Sequence, residues 1–200
     1  SEASIVTDRR GVSWEQRVRI GAPLRVSYGY TFDRAHTFST RVSDDPFNPT
    51  FDVTVNIARL SNAAVFDSRN NPLETTRGWL LSSNLEYAPS TLGSDIRFVR
   101  NLTQAYHFQS VKRVVLASAA RLGLATAPEG QSLIPSERFY AGGARTVRGV
   151  PENSLGPRDV FGDAAGGGAL VVFNQEVRFP LFRWFGGVGF VDVGNVFESP

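Results

Sequence analysis

The sequence has no cysteine and no methionine, and Lys112 is the single lysine among its 21 basic residues. Without cysteine it has neither a disulfide framework nor a thiolate metal site. With no methionine and a start at Ser1-Glu2-Ala3, the chain reads as a segment of something longer. It lacks any run of about 18 apolar residues, which excludes a transmembrane helix, and no charged-then-apolar leader opens it. Charge of one sign is also missing. The 21 Lys+Arg against 19 Asp+Glu leave a formal +2, interspersed rather than blocked, so nothing electrostatic argues for nucleic acid. The chain is therefore either soluble or crosses a membrane as strands, since a barrel strand shows alternation and not continuous apolarity.

Catalytic constellations are missing as well. His36 and His107 are the two histidines, and no His/Glu cluster stands at metal spacing. His107 and Ser110 differ by three positions and face opposite ways on a strand, which argues against a Ser–His pair. Gly166-Gly167-Gly168 lacks the lysine and the helix of a phosphate-cradling loop. The reading is of a protein that is not an enzyme, with no catalytic residue, metal, cofactor or small-molecule substrate.

Alternation dominates what is present. One parity of the 79–88 stretch holds Trp79, Leu81, Ser83, Leu85 and Tyr87, and the other holds Leu80, Ser82, Asn84, Glu86 and Ala88. A period of two marks a strand with a different environment on each face. The 24–32 stretch repeats it, with Leu24, Val26, Tyr28, Tyr30 and Phe32 opposite Arg25, Ser27, Gly29 and Thr31. Farther on, Val171, Phe173, Val177, Phe179 and Leu181 oppose Asn174, Glu176 and Arg178, with Gln175 the intruder on the apolar face. The pattern predicts strands near 13–20, 23–33, 53–65, 77–88, 94–106, 110–123, 168–180 and 186–197, with one more near 3–9. Several reach the roughly 9–11 residues that a tilted membrane strand needs.

Short turns are expected at Gly21-Ala22-Pro23, at Leu92-Gly93-Ser94 and around Tyr106–Ser110, with longer connections at 34–52 and 66–76. Residues 124–167 form a very long connection, rich in proline and glycine, which in a compact domain implies a functional loop. Short turns alternating with long loops is the asymmetry of outer-membrane barrels. The fold class is thus all-β, an antiparallel transmembrane β-barrel, and residues 1–200 are a partial barrel domain with a lumen-directed loop at 124–167.

Four segments, in order, resemble a known superfamily: outer-membrane barrels that insert or translocate other proteins, including the BamA-type assembly proteins, their TamA relatives and the two-partner-secretion transporters. Asp67-Ser68-Arg69-Asn70-Asn71-Pro72 followed by Gly78 resembles its Asp-x-Arg-x-Asn-Pro…Gly segment, shifted by one residue. Phe139-Tyr140-Ala141-Gly142-Gly143 with Val147-Arg148-Gly149 resembles its loop-tip motif, although Val150 stands where the family usually has an aromatic. Gly166 to Leu181 and Phe190-Val191-Asp192-Val193-Gly194-Asn195-Val196 resemble the two strands that follow. The resemblance implies a segment of a sixteen-stranded barrel behind periplasmic repeat domains, with eight or nine strands present and the last two missing. It also implies a bacterial outer-membrane location, unfolded outer-membrane client proteins and the lipid bilayer as partners, and accessory lipoproteins or a TamB-like partner. The function implied is assembly and insertion of β-barrel clients or help to autotransporter translocation. The alternative is a two-partner-secretion transporter exporting a protein through the barrel. A soluble antiparallel β-domain with a binding loop is a further rival.

Parity gives the loop tip its candidate partners. If Val171, Phe173, Val177 and Phe179 face lipid, Glu176 and Arg178 face the lumen, because a charge at lipid depth costs roughly 2–4 kcal/mol. Phe190 and Asp192 share a face of the last strand. A loop returning into the lumen brings Arg148 to Glu176 or Asp192, and a guanidinium suits a carboxylate because its planar fork binds both oxygens. Gly149 permits a tight turn, and Gly142-Gly143 lets the backbone approach the wall. The resemblance points the same way: its loop-tip arginine docks on the Phe-x-Asp matching Phe190-Val191-Asp192. The proposed lumenal brace is thus Gly142, Gly143, Val147, Arg148, Gly149 and Val150, with Glu176, Phe190 and Asp192 as partners. Arg148 read alone is equally an exposed turn residue. Trp79, Tyr87, Trp184 and Phe185 form either an aromatic girdle or plain core.

Overall fold

The structure, a computed structural model, describes residues 5–39, 52–128, 130–159 and 162–200. Eight strands follow in order: β1 (Ile5–Ile20), β2 (Leu24–Ser39), β3 (Asp52–Asp67), β4 (Gly78–Ala88), β5 (Phe98–Val111), β6 (Val114–Thr126), β7 (Ala169–Phe182) and β8 (Phe185–Phe197). Each pairs antiparallel with its neighbours in sequence, giving one sheet in the order β1 to β8. Among the described residues β1 and β8 have a single partner each, so the sheet is open at both edges.

Side-chain parity sorts the sheet into an outer and an inner face. Trp79, Leu81, Leu85 and Tyr87 lie exposed on the outer face, as do Val171, Phe173, Val177 and Phe179. Exposure of Trp184 and Phe185 at the β7–β8 turn, together with Trp79 and Tyr87, excludes the plain-core reading of these aromatics. The intruder Gln175 is partnered on the outer face: it accepts from the Ser118 hydroxyl at 2.6 Å and donates to the Ala117 carbonyl at 3.3 Å. Such pairing satisfies a polar group that apolar surroundings leave without water.

Core lies on the inner face, under the long loop. Ala125, Leu170, Val172 and Val196 of the wall pack with Phe139, Ala141 and Val147 of the loop. A second cluster joins Ile57, Ala88, Ile96 and Phe98, with Leu133 and Ile134 of the loop against it. The inner face of β6 is built for this cover. A Cβ on Gly123 would stand 2.8 Å from the Phe139 ring, so only glycine leaves that ring its seat.

Several boundaries differ from expectation. The pieces near 3–9 and 13–20 belong to one strand, because the β1–β2 ladder continues to Ile5↔Ser39 after the outward residues turn polar at Arg10 and Asp8. For the same reason β2 runs on to Ser39, and the rest of the expected 34–52 connection, residues 40–51, lies outside the described residues. The turn expected around Tyr106–Ser110 sits instead at Lys112-Arg113, with Lys112 at φ 56. Strand β5 misled the pattern because its outer parity is polar, with Asn101, Thr103, His107 and Gln109, while Phe98, Leu102, Tyr106 and Phe108 turn inward. Its outer groups pair laterally: Thr103 donates to Asn101 Oδ1 at 2.9 Å, and the Asn101 amide donates to Ser83 Oγ at 3.1 Å.

Leu92-Gly93-Ser94 is not a tight hairpin but part of the 89–97 link, which holds a 3-10 turn at Ser90–Leu92. There Asp95 closes on the upper part of β3, which outruns β4. Its backbone N–H donates to the Asn56 carbonyl at 2.9 Å, and its carboxylate accepts from the Asn56 N–H at 2.8 Å. The long connection expected at 66–76 spans 68–77, and it lies at the same end of the sheet as the short turns. Side-chain-to-backbone bonds hold it, with Asn70 Oδ1 accepting from the N–H groups of Thr76 and Arg77 and Asn71 Oδ1 from that of Leu73. The 89–97 and 127–168 connections both leave from the opposite end.

Candidate functional site

The tip of the 127–168 loop is shaped before it touches the wall. Thr146 Oγ1 accepts from the Gly142 N–H at 2.8 Å and donates to the Gly142 carbonyl at 2.7 Å, closing a compact turn. Gly149 has φ 83, a conformation that L side chains rarely adopt. Gly142 and Gly143 have a different use from the one expected. Their close approach is to the loop's own returning limb, at Pro151 and Glu152, not to the wall. Val147 is buried in the inner core, and Val150 packs against the same cluster.

This turn aims Arg148 at β7 and β8. Its Nε donates to Asp192 Oδ2 at 2.6 Å and its Nη2 to Asp192 Oδ1 at 2.7 Å, the two-pronged geometry of a planar fork on a carboxylate. The backbone N–H of Arg148 adds a third bond to Asp192 at 2.9 Å. Nη1 donates to Glu176 Oε1 at 2.7 Å. The guanidinium carbon also lies 3.7 Å from the centroid of the Phe190 ring, within cation–π range. Hydrogen bonding to Asp192, then to Glu176, raises the pKa of Arg148 beyond its ordinary value, against the opposing effect of burial. The arginine stays charged, which is what an ion-paired anchor in a partly dry lumen requires.

All three sequence-proposed partners thus converge on Arg148. Sequence reasoning missed the groups that hold those partners. Asn174 donates to the Thr146 carbonyl at 2.7 Å and to Asp192 Oδ1 at 2.9 Å, tying loop backbone and acid together. Arg178 clasps the other oxygen of Glu176, Oε2, with bonds of 2.9 and 2.7 Å. Both share the inner parity of β7 with Glu176, and that parity was the available signal. The side chain of Asp192 is only 2% exposed, so it depends on these donors for solvation. This arrangement can hold a loop against a wall, with both carboxylates committed to donors of the loop and of β7.

An open antiparallel wall with an apolar outer face and a charged, loop-filled inner face is the build of a membrane β-barrel with an internal loop. The chain belongs to the Omp85 superfamily, whose domain matches residues 1–200. It is 36% identical over 152 residues to the sorting and assembly machinery component 50 homolog of Bos taurus, covering 68% of this chain and 31% of that protein. It is 29% identical over 163 residues to the outer membrane protein assembly factor BamA of Nitratidesulfovibrio vulgaris, covering 78% of this chain and 20% of the relative. The crystal structure of BamA from Haemophilus ducreyi lacking POTRA domains 1-3 superposes with a TM-score of 0.83 at 18% identity, over 96% of this chain and 42% of that one. The chain therefore spans a third or less of the curated relatives it matches.

Proposed function

We propose that the protein to which this barrel segment belongs folds and inserts β-barrel proteins into an outer membrane, with Arg148 as the brace that fixes the internal loop. The observation that carries this reading is the seating of Arg148 on Asp192 and Glu176, in a chain similar to a sorting and assembly machinery component and to an outer membrane protein assembly factor. The location that goes with it is the bacterial outer membrane, and the partners are the bilayer, unfolded barrel clients and accessory lipoproteins or a TamB-like protein. The action is mechanical and non-catalytic. A braced loop keeps the wall in register while an opened seam offers unpaired strand groups to a client edge, the chemistry of strand addition.

The test is reconstitution of the full-length protein in liposomes, followed by the folding rate of a urea-denatured small barrel protein. Acceleration over empty liposomes that falls with Arg148→Ala supports the reading. No acceleration, or passage of a soluble protein into the vesicle lumen instead, overturns it.

A further inference from the structure

The loop touches the wall at a second charged point that the brace does not use. Glu137 lies in a 3-10 turn at Pro135–Glu137 on the loop's first limb and is only 4% exposed. Its Oε1 accepts from Arg59 Nη2 of β3 at 3.3 Å. Around it a series of charges crosses the inner face of five neighbouring strands. Arg9 of β1 lies 3.6 Å from Asp33 of β2, Asp33 3.8 Å from Arg59, Arg59 3.9 Å from Glu86 of β4, and Glu86 3.2 Å from Arg100 of β5. Three wall arginines thus face two wall carboxylates, and Glu137 from the loop supplies the third. Arg9 is half exposed while Arg59 and Arg100 are largely buried, so Glu137 adds its charge where the wall's cations are driest.

Two further features tie this charge to the loop's position. Arg100 stacks at 4.6 Å over Phe139, two residues after Glu137, while Leu133 and Ile134 before it pack on the β3–β5 cluster. The fit is also unfinished. Nε of Arg59 and Nε of Arg100 are buried without a hydrogen-bond partner. A contact with such gaps contributes little net stability, but it discriminates between positions, because Glu137 sits on Arg59 with the like charge of Glu86 close by.

We propose that Glu137 is a positioning residue for the loop, seating its first limb on Arg59 of β3 beside the Phe139–Arg100 contact on β5, while Arg148 seats the tip on β7 and β8. The two seats have opposite polarity, an anion on basic wall and a cation on acidic wall, so the strap fits across the lumen in one register only. The proposal rests on the assembly reading above for its consequence, but not for its geometry.

The experiment uses full-length protein in liposomes, in a background otherwise free of cysteine, with a spin label at S136C on the first limb or at A144C near the tip. Glu137→Arg is expected to sharpen the spectrum at 136, leave 144 immobile and slow client folding about tenfold, the scale of a disrupted buried ion pair. Should Glu137→Arg fail to insert, Arg59→Gln becomes the variant, because it removes the charge facing Glu137 without adding an anion beside Asp33 and Glu86. A limb that stays immobile at 136 in the variant that inserts, or a tip that loosens at 144 along with it, overturns the proposal. If Arg148→Ala leaves client folding intact while 136 alone loosens as stated, the assembly reading fails and the seating of Glu137 stands.

Discussion

Arg148 and Asp192 are 44 positions apart in the chain and share three hydrogen bonds, two from the guanidinium and one from the backbone N–H of Arg148. The backbone bond distinguishes this contact from an ordinary side-chain ion pair, because it fixes the loop's main chain against β8 and not merely a mobile cation. Removing the guanidinium therefore leaves a nearly enclosed carboxylate with only the Asn174 amide and the Arg148 N–H as donors. Arg148→Ala is expected to destabilise the full-length barrel by about 2–5 kcal/mol, read as a lower temperature of heat modification on a gel, with expression unchanged. An unchanged transition together with unchanged client folding would rule out a bracing role.

Arg148→Lys separates charge from geometry. A lysine ammonium reaches one carboxylate as a point charge and cannot span Asp192 with two parallel bonds while also serving Glu176. The lysine variant is expected to fall between wild type and alanine in the same heat-modification measurement. Equality with wild type would show that charge alone suffices.

Asn174 is predicted to matter through its donors. Asn174→Asp replaces an amide that binds both the Thr146 carbonyl and Asp192 with a carboxylate that repels them. The expected loss is about 1–3 kcal/mol, in the same range as Asn174→Ala or larger. A variant as stable as wild type would remove Asn174 from the brace.

Gly123 tests the seat of the loop from the wall side. Gly123→Val pushes into the Phe139 ring and is expected to loosen the 127–168 loop, at the roughly 1–3 kcal/mol scale of overpacking. Limited proteolysis reads this as faster cleavage within the loop, while the strands stay protected. An unaltered cleavage pattern would mean that the ring has room the structure does not show.

Where each strand's two faces see different surroundings, the fold was readable from residue types. Strands β4 and β7 announced themselves because lipid demands apolar groups on one parity and the lumen tolerates charge on the other. Strand β5 did not, because its inner residues Phe98 and Leu102 are covered by the loop and its outer Asn101 and Thr103 satisfy each other laterally. Ends were harder to place than existence, since the β1–β2 ladder is held by backbone bonds that continue after the side chains turn polar. The brace was legible in part because Glu176 and Asp192 are acids on inner parities facing a loop arginine. Glu137 was not singled out, since nothing in a linear reading shows that a loop carboxylate lands among arginines from three other strands.

The upper stretch of β3 runs past the last residue of β4, and the 89–97 link lies beside it where a strand would otherwise stand. By returning both a carbonyl partner and an acceptor to Asn56, Asp95 occupies the rung that a foreign strand would use first. The wall thus plugs this side step in its own rim, and a stretch of strand that would otherwise invite foreign pairing is closed by the chain itself.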